Sequence, residues 1–228
     1  MTTTIYLIRH GQTENNRDKI VQGWFDSKLT EKGIEVAKRD GQALADVPFD
    51  AAYASDLSRA YDTASYILIP NNFLSPADIQ KDPALREVSF GTNVGAYGPA
   101  MQQLLESKVE EPRVPNNGKG RLKAYVDAIK DYDPKDQAEN YQEFVTRITT
   151  AMETIAKRHD ALDHTILVVS HGMMIKTFFT ATFPQLEDYP SMRNGGLARL
   201  TYHTEHWEKL AYDENIAHMP EAEANWFK

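Results

Sequence analysis

The chain contains no cysteine. That absence removes disulfides, zinc–thiolate sites, iron–sulfur clusters and every enzyme whose nucleophile is a thiolate, the cysteine phosphatases included. Long apolar runs are also missing: the segments around 166–169 and 178–183 are broken by Ser170, His171 and Lys176, well short of the roughly 18 residues that cross a bilayer. The opening MTTTIYLIRHG lacks a basic n-region and has too short an apolar stretch for a secretory leader, so a cytoplasmic location without membrane attachment is expected. Positive charge is in deficit, with 25 Lys+Arg against 33 Asp+Glu and a net charge of −8. No basic stripe is therefore available for nucleic acid, although a pocket can be locally basic in an acidic protein. Neither GxxxxGK[ST] nor GxSxG occurs, which removes the defining turns of P-loop NTPases and α/β-hydrolases.

What is present is an ordinary globular composition: 228 residues, 41% hydrophobic and 25% charged, enough for one large core. We read 1–228 as one domain. Short apolar runs alternate with amphipathic stretches, which predicts an α/β protein. Strands are expected at 4–8, 51–54 and 166–169, and helices at 31–45 with Thr30 as N-cap, 57–68, about 141–161 and from about Met173. Phe144, Ile148, Met152 and Ile155 share one face of the long helix, as core residues do. Between Gly91 and Gln137, glycines and prolines punctuate the chain, and only 101–109 and 122–132 have helical character. This predicts a mainly helical insertion or cap at about 91–137. The expected architecture is a three-layer sandwich, a central mostly parallel sheet flanked by helices.

The chemistry concentrates where strands end, which is where open α/β sheets bind ligands. Arg9-His10-Gly11 follows the first strand, Ser55-Asp56 the second with Arg59 in the next helical turn, and Ser170-His171-Gly172 the third. Each histidine precedes a glycine, which lets backbone approach a ligand. Helix N-termini near Arg59 and Met173 are expected to offer free N–H groups, so the edge suits a tetrahedral oxyanion. Two other acid or histidine groupings raise a metal reading that their placement argues against. Asp131 and Asp133 flank Tyr132 at an expected helix end rather than after a strand, and His203 and His206 lie where a turn after the last strand is expected.

These blocks resemble the histidine phosphatase superfamily, the cofactor-dependent phosphoglycerate mutase-like proteins. IRHGQTENN at 8–16 is similar to its opening signature, and QGWFDSKLTEKGIEVA, ASDLSRAYDTA, LREVSFG and VVSHGMMIK follow in that family's order. The resemblance runs from about Thr4 to Tyr202 and is weak between Gly91 and Gln137. It implies that His10 is the nucleophile that becomes phosphohistidine. It implies that Arg9, Arg59 and His171 hold the phosphoryl oxygens, that Asn16 adds a phosphate contact and that Glu87 is the general acid. By the same analogy Gln22, Gly23 and the Gly172 backbone line the pocket. Imidazole attacks only when neutral, and the flanking arginines disfavour its protonation; Glu87 must instead keep a proton, which burial or a nearby phosphate would favour. Arginines and helix ends supply the charge, so neither metal nor cofactor is called for.

Mutase members of the family resemble one another in an Arg-His-Tyr-Gly run after the catalytic glutamate, where this chain has Val88, Ser89, Phe90 and Gly91. Phosphatase members often carry Trp-Glu-Gly soon after, where it has Asn93, Val94 and Gly95. The expected activity is hydrolysis of a small phosphorylated metabolite, with 2,3-bisphosphoglycerate-dependent phosphoglycerate mutation as the alternative and a non-catalytic phosphate-binding module as a third reading. Arg113, Lys119, Arg121 and Lys123 of the insertion either contact an anionic substrate or form a solvated face. Homo-oligomerisation is left open by the sequence.

Overall fold

The apolar run Ile5-Tyr6-Leu7-Ile8 forms the middle of strand β1 (Thr3–Arg9) in the computed structural model, which describes residues 1–108, 120–183, 189–214 and 216. All four side chains are buried, as a strand covered on both faces requires. Chain order then runs α1 (Glu14–Asp18), α2 (Glu31–Ala43), β2 (Ala51–Ala54), α3 (Ser58–Leu68), β3 (Ile79–Lys81) and α4 (Gly98–Lys108). It continues through α5 (Arg121–Asp131), α6 (Tyr141–Arg158), β4 (His164–Ser170), α7 (Gly172–Thr182), β5 (Leu197–His203) and β6 (His206–Glu214). The described strands make one sheet of order β3-β2-β4-β1-β5-β6. The β1–β4, β2–β4 and β2–β3 pairings are parallel; β5 runs antiparallel to both β1 and β6.

Alternate residues of the central strands supply two cores, one on each face of the sheet. Ile5, Leu7, Ile166 and Val168 pack with Phe144, Ile148 and Met152 of α6 and with Phe178 and Phe179 of α7. Tyr6, Ile8, Leu167 and Val169 pack on the opposite face with Leu44 and with Ala60, Ala64 and Ile67 of α3. The result is the three-layer α/β sandwich with a mixed sheet. Met101 of α4 and Leu122, Val126 and Ile129 of α5 join the first core, so the 91–137 segment is anchored in the same apolar cluster as the sheet. Among the described residues no helix is long and apolar enough to cross a membrane.

Asp133 organises the base of that segment. Its carboxylate accepts hydrogen bonds from Thr92 N and Oγ1 and from the backbone N–H groups of Gln137 (2.6 Å) and Ala138 (2.7 Å). The Thr92 hydroxyl and these amides hold its pKa far below the usual carboxylate range. Gly91 is required beside it: φ is +54°, and a Cβ would sit 1.9 Å from Asp133 Oδ2.

Several elements depart from the sequence expectation. The short α1 and β3 carry too few residues to show a period. β5 and β6 form a hairpin whose turn is Thr204-Glu205, both at positive φ (49° and 62°). A two-residue turn of this kind usually advertises itself by Asn-Gly or Asp-Gly, and here it does not. His203 and His206 are therefore paired across a hairpin turn rather than lying beyond the last strand. The long helix also stops at Arg158, three residues before the expected end.

Candidate active site

Because β4 lies between β2 and β1 and all three are parallel, their carboxyl ends open on one edge of the sheet. Arg9 pairs with Ser170 in the register, and His10 N–H donates to Ser170 O at 2.9 Å, which carries the pairing one residue past the strands. The two imidazoles consequently face each other edge-on, with ring centroids 5.1 Å apart. His10 is 3% exposed and His171 fully buried.

His10 Nδ1 lies 2.8 Å from the carbonyl oxygen of Gly11. A carbonyl only accepts, so Nδ1 carries the proton and Nε2 keeps its lone pair. Burial, then the Arg59 and Arg9 guanidinium charges, hold this imidazole neutral well below its ordinary pKa. Burial is also the main cause of the low pKa of His171, followed by Arg59 and His10.

The two arginines are anchored by one part of each guanidinium. Arg59, 1% exposed, donates from Nη2 to Gly23 O (2.7 Å) and from Nη1 to Phe25 O (2.9 Å) and Asp26 Oδ1 (3.2 Å). Arg9 donates from Nη1 to Met192 O and lies against Gly172, where a Cβ would come within 3.0 Å of Arg9 Cζ. Six buried side-chain atoms among the described residues have no hydrogen-bond partner, and four of them are Arg9 Nε, Arg59 Nε and both ring nitrogens of His171. Buried polar groups are almost always satisfied, so four unsatisfied atoms around one imidazole mark a place for an oxygen-rich ligand.

The helix ends are used differently from the expectation. The N-terminus of α3 is occupied by Asp26, which accepts from Ser58 N and, at 3.5 Å, Arg59 N. That of α7 is occupied by Glu87, whose Oε2 accepts from Met173 N (3.0 Å) and Oε1 from Met174 N (2.9 Å). Carboxylates complement positive helix ends, so side chains and not free helix N–H groups supply the donors here. Glu87 also accepts from Val88 N at 3.1 Å. Burial is the strongest influence on its carboxyl and raises the pKa, against these N–H groups and the Arg59 and Arg9 charges. Arg86 is not its partner: it forms a two-pronged pair with Asp56 (2.7 and 2.5 Å), which lowers the Asp56 pKa and disqualifies Asp56 as a proton donor near neutrality.

The remaining expected residues surround this group. Asn16 completes the capping box of α1 with the N-cap Thr13, its Oδ1 accepting from Thr13 N (3.2 Å) and Asn194 Nδ2 (3.2 Å), so its NH₂ remains as a donor. Gln22, buried, accepts at Oε1 from Thr13 Oγ1 (3.1 Å) and Ser27 Oγ (2.8 Å), again sparing its NH₂. Gly23 contributes its carbonyl to Arg59 from a backbone at φ +52°. Of the insertion cations, Lys123 is paired with Asp127 on an exposed face, Arg121 opens α5, and Arg113 and Lys119 lie outside the described residues.

Three supporting residues escaped the sequence reading. Asp26 lies inside the QGWFDSKLT block, but nothing in the block says that it reaches a helix thirty residues on. Asn194 donates to His10 O at 3.1 Å, and Thr63 Oγ1 accepts from Gly11 N at 3.0 Å, bracing the turn after β1 from two distant elements.

Comparison with known proteins gives the family. The family model of the histidine phosphatase superfamily (branch 1) matches residues 5–215, and the chain belongs to that superfamily. It is 41% identical over 93 residues to the 2,3-bisphosphoglycerate-dependent phosphoglycerate mutase of Allorhizobium ampelinum, a match covering 40% of this chain and 44% of that protein. The chain thus spans less than half the length of that relative. It is 30% identical over 181 residues to a metal-independent phosphoserine phosphatase of Arabidopsis thaliana, covering 78% of this chain and 67% of the relative. The crystal structure of phosphoglycerate mutase from Bacillus anthracis superposes with a TM-score of 0.84 at 28% identity, covering 95% of each chain.

Proposed function

We propose that this protein is a metal-independent phosphomonoester hydrolase that works through a phosphohistidine on His10. The observation that carries the reading is the set of unpartnered buried atoms on Arg9, Arg59 and His171 beside a His10 whose tautomer leaves Nε2 nucleophilic. His10 Nε2 attacks phosphorus and the bond from phosphorus to the leaving oxygen breaks, while Glu87 gives that oxygen its proton. Water then attacks the phosphohistidine, Glu87 takes a proton from it, and the P–N bond breaks to release inorganic phosphate. The cations and His171 stabilise charge on the equatorial oxygens throughout.

A mutase reading draws support from the similarity to phosphoglycerate mutases. Against it, the segment after Glu87 is uncharged and turned inward: Val88, Ser89 and Phe90 are all buried. A bisphosphorylated intermediate needs extra cationic contacts while it reorients, and this segment offers none. The test is a phosphate-release screen over sugar phosphates, nucleotides, phosphoserine, phosphoglycerates and an aryl phosphate. Release from at least one small phosphomonoester, insensitive to EDTA, is expected. Interconversion of 2- and 3-phosphoglycerate, stimulated by 2,3-bisphosphoglycerate and much faster than phosphate release, would replace the hydrolase reading with the mutase one.

A further inference from the structure

Glu87 is carried by a piece of chain that has no ladder to hold it. Residues 86–89 lie outside helix and strand, yet the backbone polar groups around them need partners. Side chains from elsewhere provide them. Ser170 Oγ donates to Leu85 O at 2.7 Å. Arg147, on α6, donates from Nη1 to Ala84 O and Arg86 O (2.9 Å each) and from Nη2 to Glu87 O (3.0 Å), which also accepts from Trp24 Nε1 (2.8 Å).

The same guanidinium is fixed from its other side by Glu139, Nε to Oε1 at 2.6 Å and Nη2 to Oε2 at 2.7 Å. Glu139 in turn grips the segment beyond Glu87: its Oε2 accepts from Ser89 N (2.8 Å) and its own N–H donates to Ser89 O (3.1 Å). One ion pair thus clamps the chain on both sides of Glu87. Its two side chains are only 18% and 14% exposed, and the helix beneath begins with a complete capping box at Asn140. A guanidinium suits this work because its planar fork can address three carbonyls and a carboxylate together, which an ammonium cannot.

We infer that Arg147, oriented by Glu139, is a positioning residue for proton delivery: it sets where the Glu87 carboxyl stands at the head of α7. The inference rests on the reading of Glu87 as the proton donor. Arg147 touches no reacting atom in this scheme. It acts on Glu87 through the backbone of residues 84–89, and a proton donor displaced by about 1 Å loses on the order of a hundredfold in rate.

The test compares Arg147→Lys with Glu87→Gln on an alkyl phosphate, whose leaving group needs a proton, and on p-nitrophenyl phosphate, whose leaving group does not. General acids contribute roughly 10²- to 10⁴-fold, so Arg147→Lys should lower kcat on the alkyl phosphate by about 10²-fold while leaving KM and the aryl reaction within about threefold. The double variant should be no slower on the alkyl phosphate than Glu87→Gln alone, because both changes remove one function. Glu139→Gln, which keeps size and one acceptor, should give a smaller loss of the same selectivity and serves if Arg147→Lys does not fold. Equal losses on both substrates, or an additive double variant, would overturn the inference and leave the pair a structural strut. A second readout needs no turnover: titration of ¹³C-labelled Glu87 should show its pKa shifted from the wild-type value in Arg147→Lys. An unchanged Glu87 titration there would also overturn the inference. If the wild-type enzyme released no phosphate but the titration moved as expected, the hydrolase reading alone would fail.

Discussion

The Nδ1 atom of His10 is satisfied by the carbonyl of the very next residue, Gly11, at 2.8 Å. The nucleophile's tautomer is therefore set within the turn that follows β1 and needs no distant partner. His10→Ala should abolish turnover by several orders of magnitude without loss of folding. Rapid quench with ³²P-labelled substrate should trap an acid-labile, base-stable phosphoenzyme; label on His171 or on a serine would sink the assignment.

The close approach of Arg9 to Gly172 makes a second prediction. In Gly172→Ala the new methyl would lie 3.0 Å from Arg9 Cζ and push the guanidinium aside. Vanadate, which mimics the trigonal-bipyramidal phosphoryl group, should bind about tenfold more weakly, a loss of about 1.4 kcal/mol, with the melting temperature nearly unchanged. An unaltered vanadate inhibition constant would show that Arg9 does not contact the phosphoryl group.

Asp26 has two jobs that substitution can separate. It caps α3 and pairs with Arg59 at 3.2 Å. Asp26→Asn keeps one oxygen able to accept from the Ser58 N–H, yet should weaken vanadate binding. Asp26→Ala should lose both, with a further stability cost of about 1 kcal/mol visible in urea denaturation. Similar vanadate affinity in wild type and Asp26→Asn would mean that the charge on Asp26 does not orient Arg59.

The buried titrating groups set the pH response. His10 and His171 have folded pKa values below the ordinary 6.5, so below that pH the unfolded chain takes up protons that the folded chain does not. Stability should fall as pH drops below about 6.5, by at most about 1.4 kcal/mol per pH unit for each histidine. Glu87, Asp40 and Asp62, all raised by burial above the ordinary carboxylate range, work in the opposite direction at more acidic pH, while His159, lowered by burial, adds to the two site histidines. Urea midpoints measured from pH 7.5 to 5 should decline, and less steeply in His171→Gln. Activity on alkyl phosphates should show the converse, holding into mildly acidic pH where His10 is still neutral and decreasing as pH rises through the Glu87 pKa. A pH–rate profile rising through neutrality toward alkaline pH would contradict both assignments.

Much of this arrangement could be read directly from the chain. The layers follow from apolar runs such as Ile166–Val169, whose period and length leave little choice, and the histidines follow from their place after such runs. Arg59 was visible because it sits in the first turn of a helix after a strand. What escaped was whatever depends on contacts between distant segments. That Asp26 and Glu87 close the ends of α3 and α7 follows from tertiary placement, since acids near helix starts are recognisable only when they are local in sequence. The β5–β6 hairpin escaped for another reason: β5 alternates with Arg199 and Thr201 only half buried, and its turn residues carry no turn signature.

The pairing of Arg9 with Ser170 has a bearing on how such a protein can change. The separation of the two imidazoles is an inherited property of strand register, because each histidine directly follows a paired residue. Deleting or inserting one residue inside either strand would slide the two rings past each other by a step of about 3.3 Å and turn one face of the apolar run into the wrong layer. Length variation is therefore barred from β1 and β4 and tolerated only beyond them. Any diversification of what this edge of the sheet accepts must be written in the segments that surround it, while the distance between its two histidines stays constant.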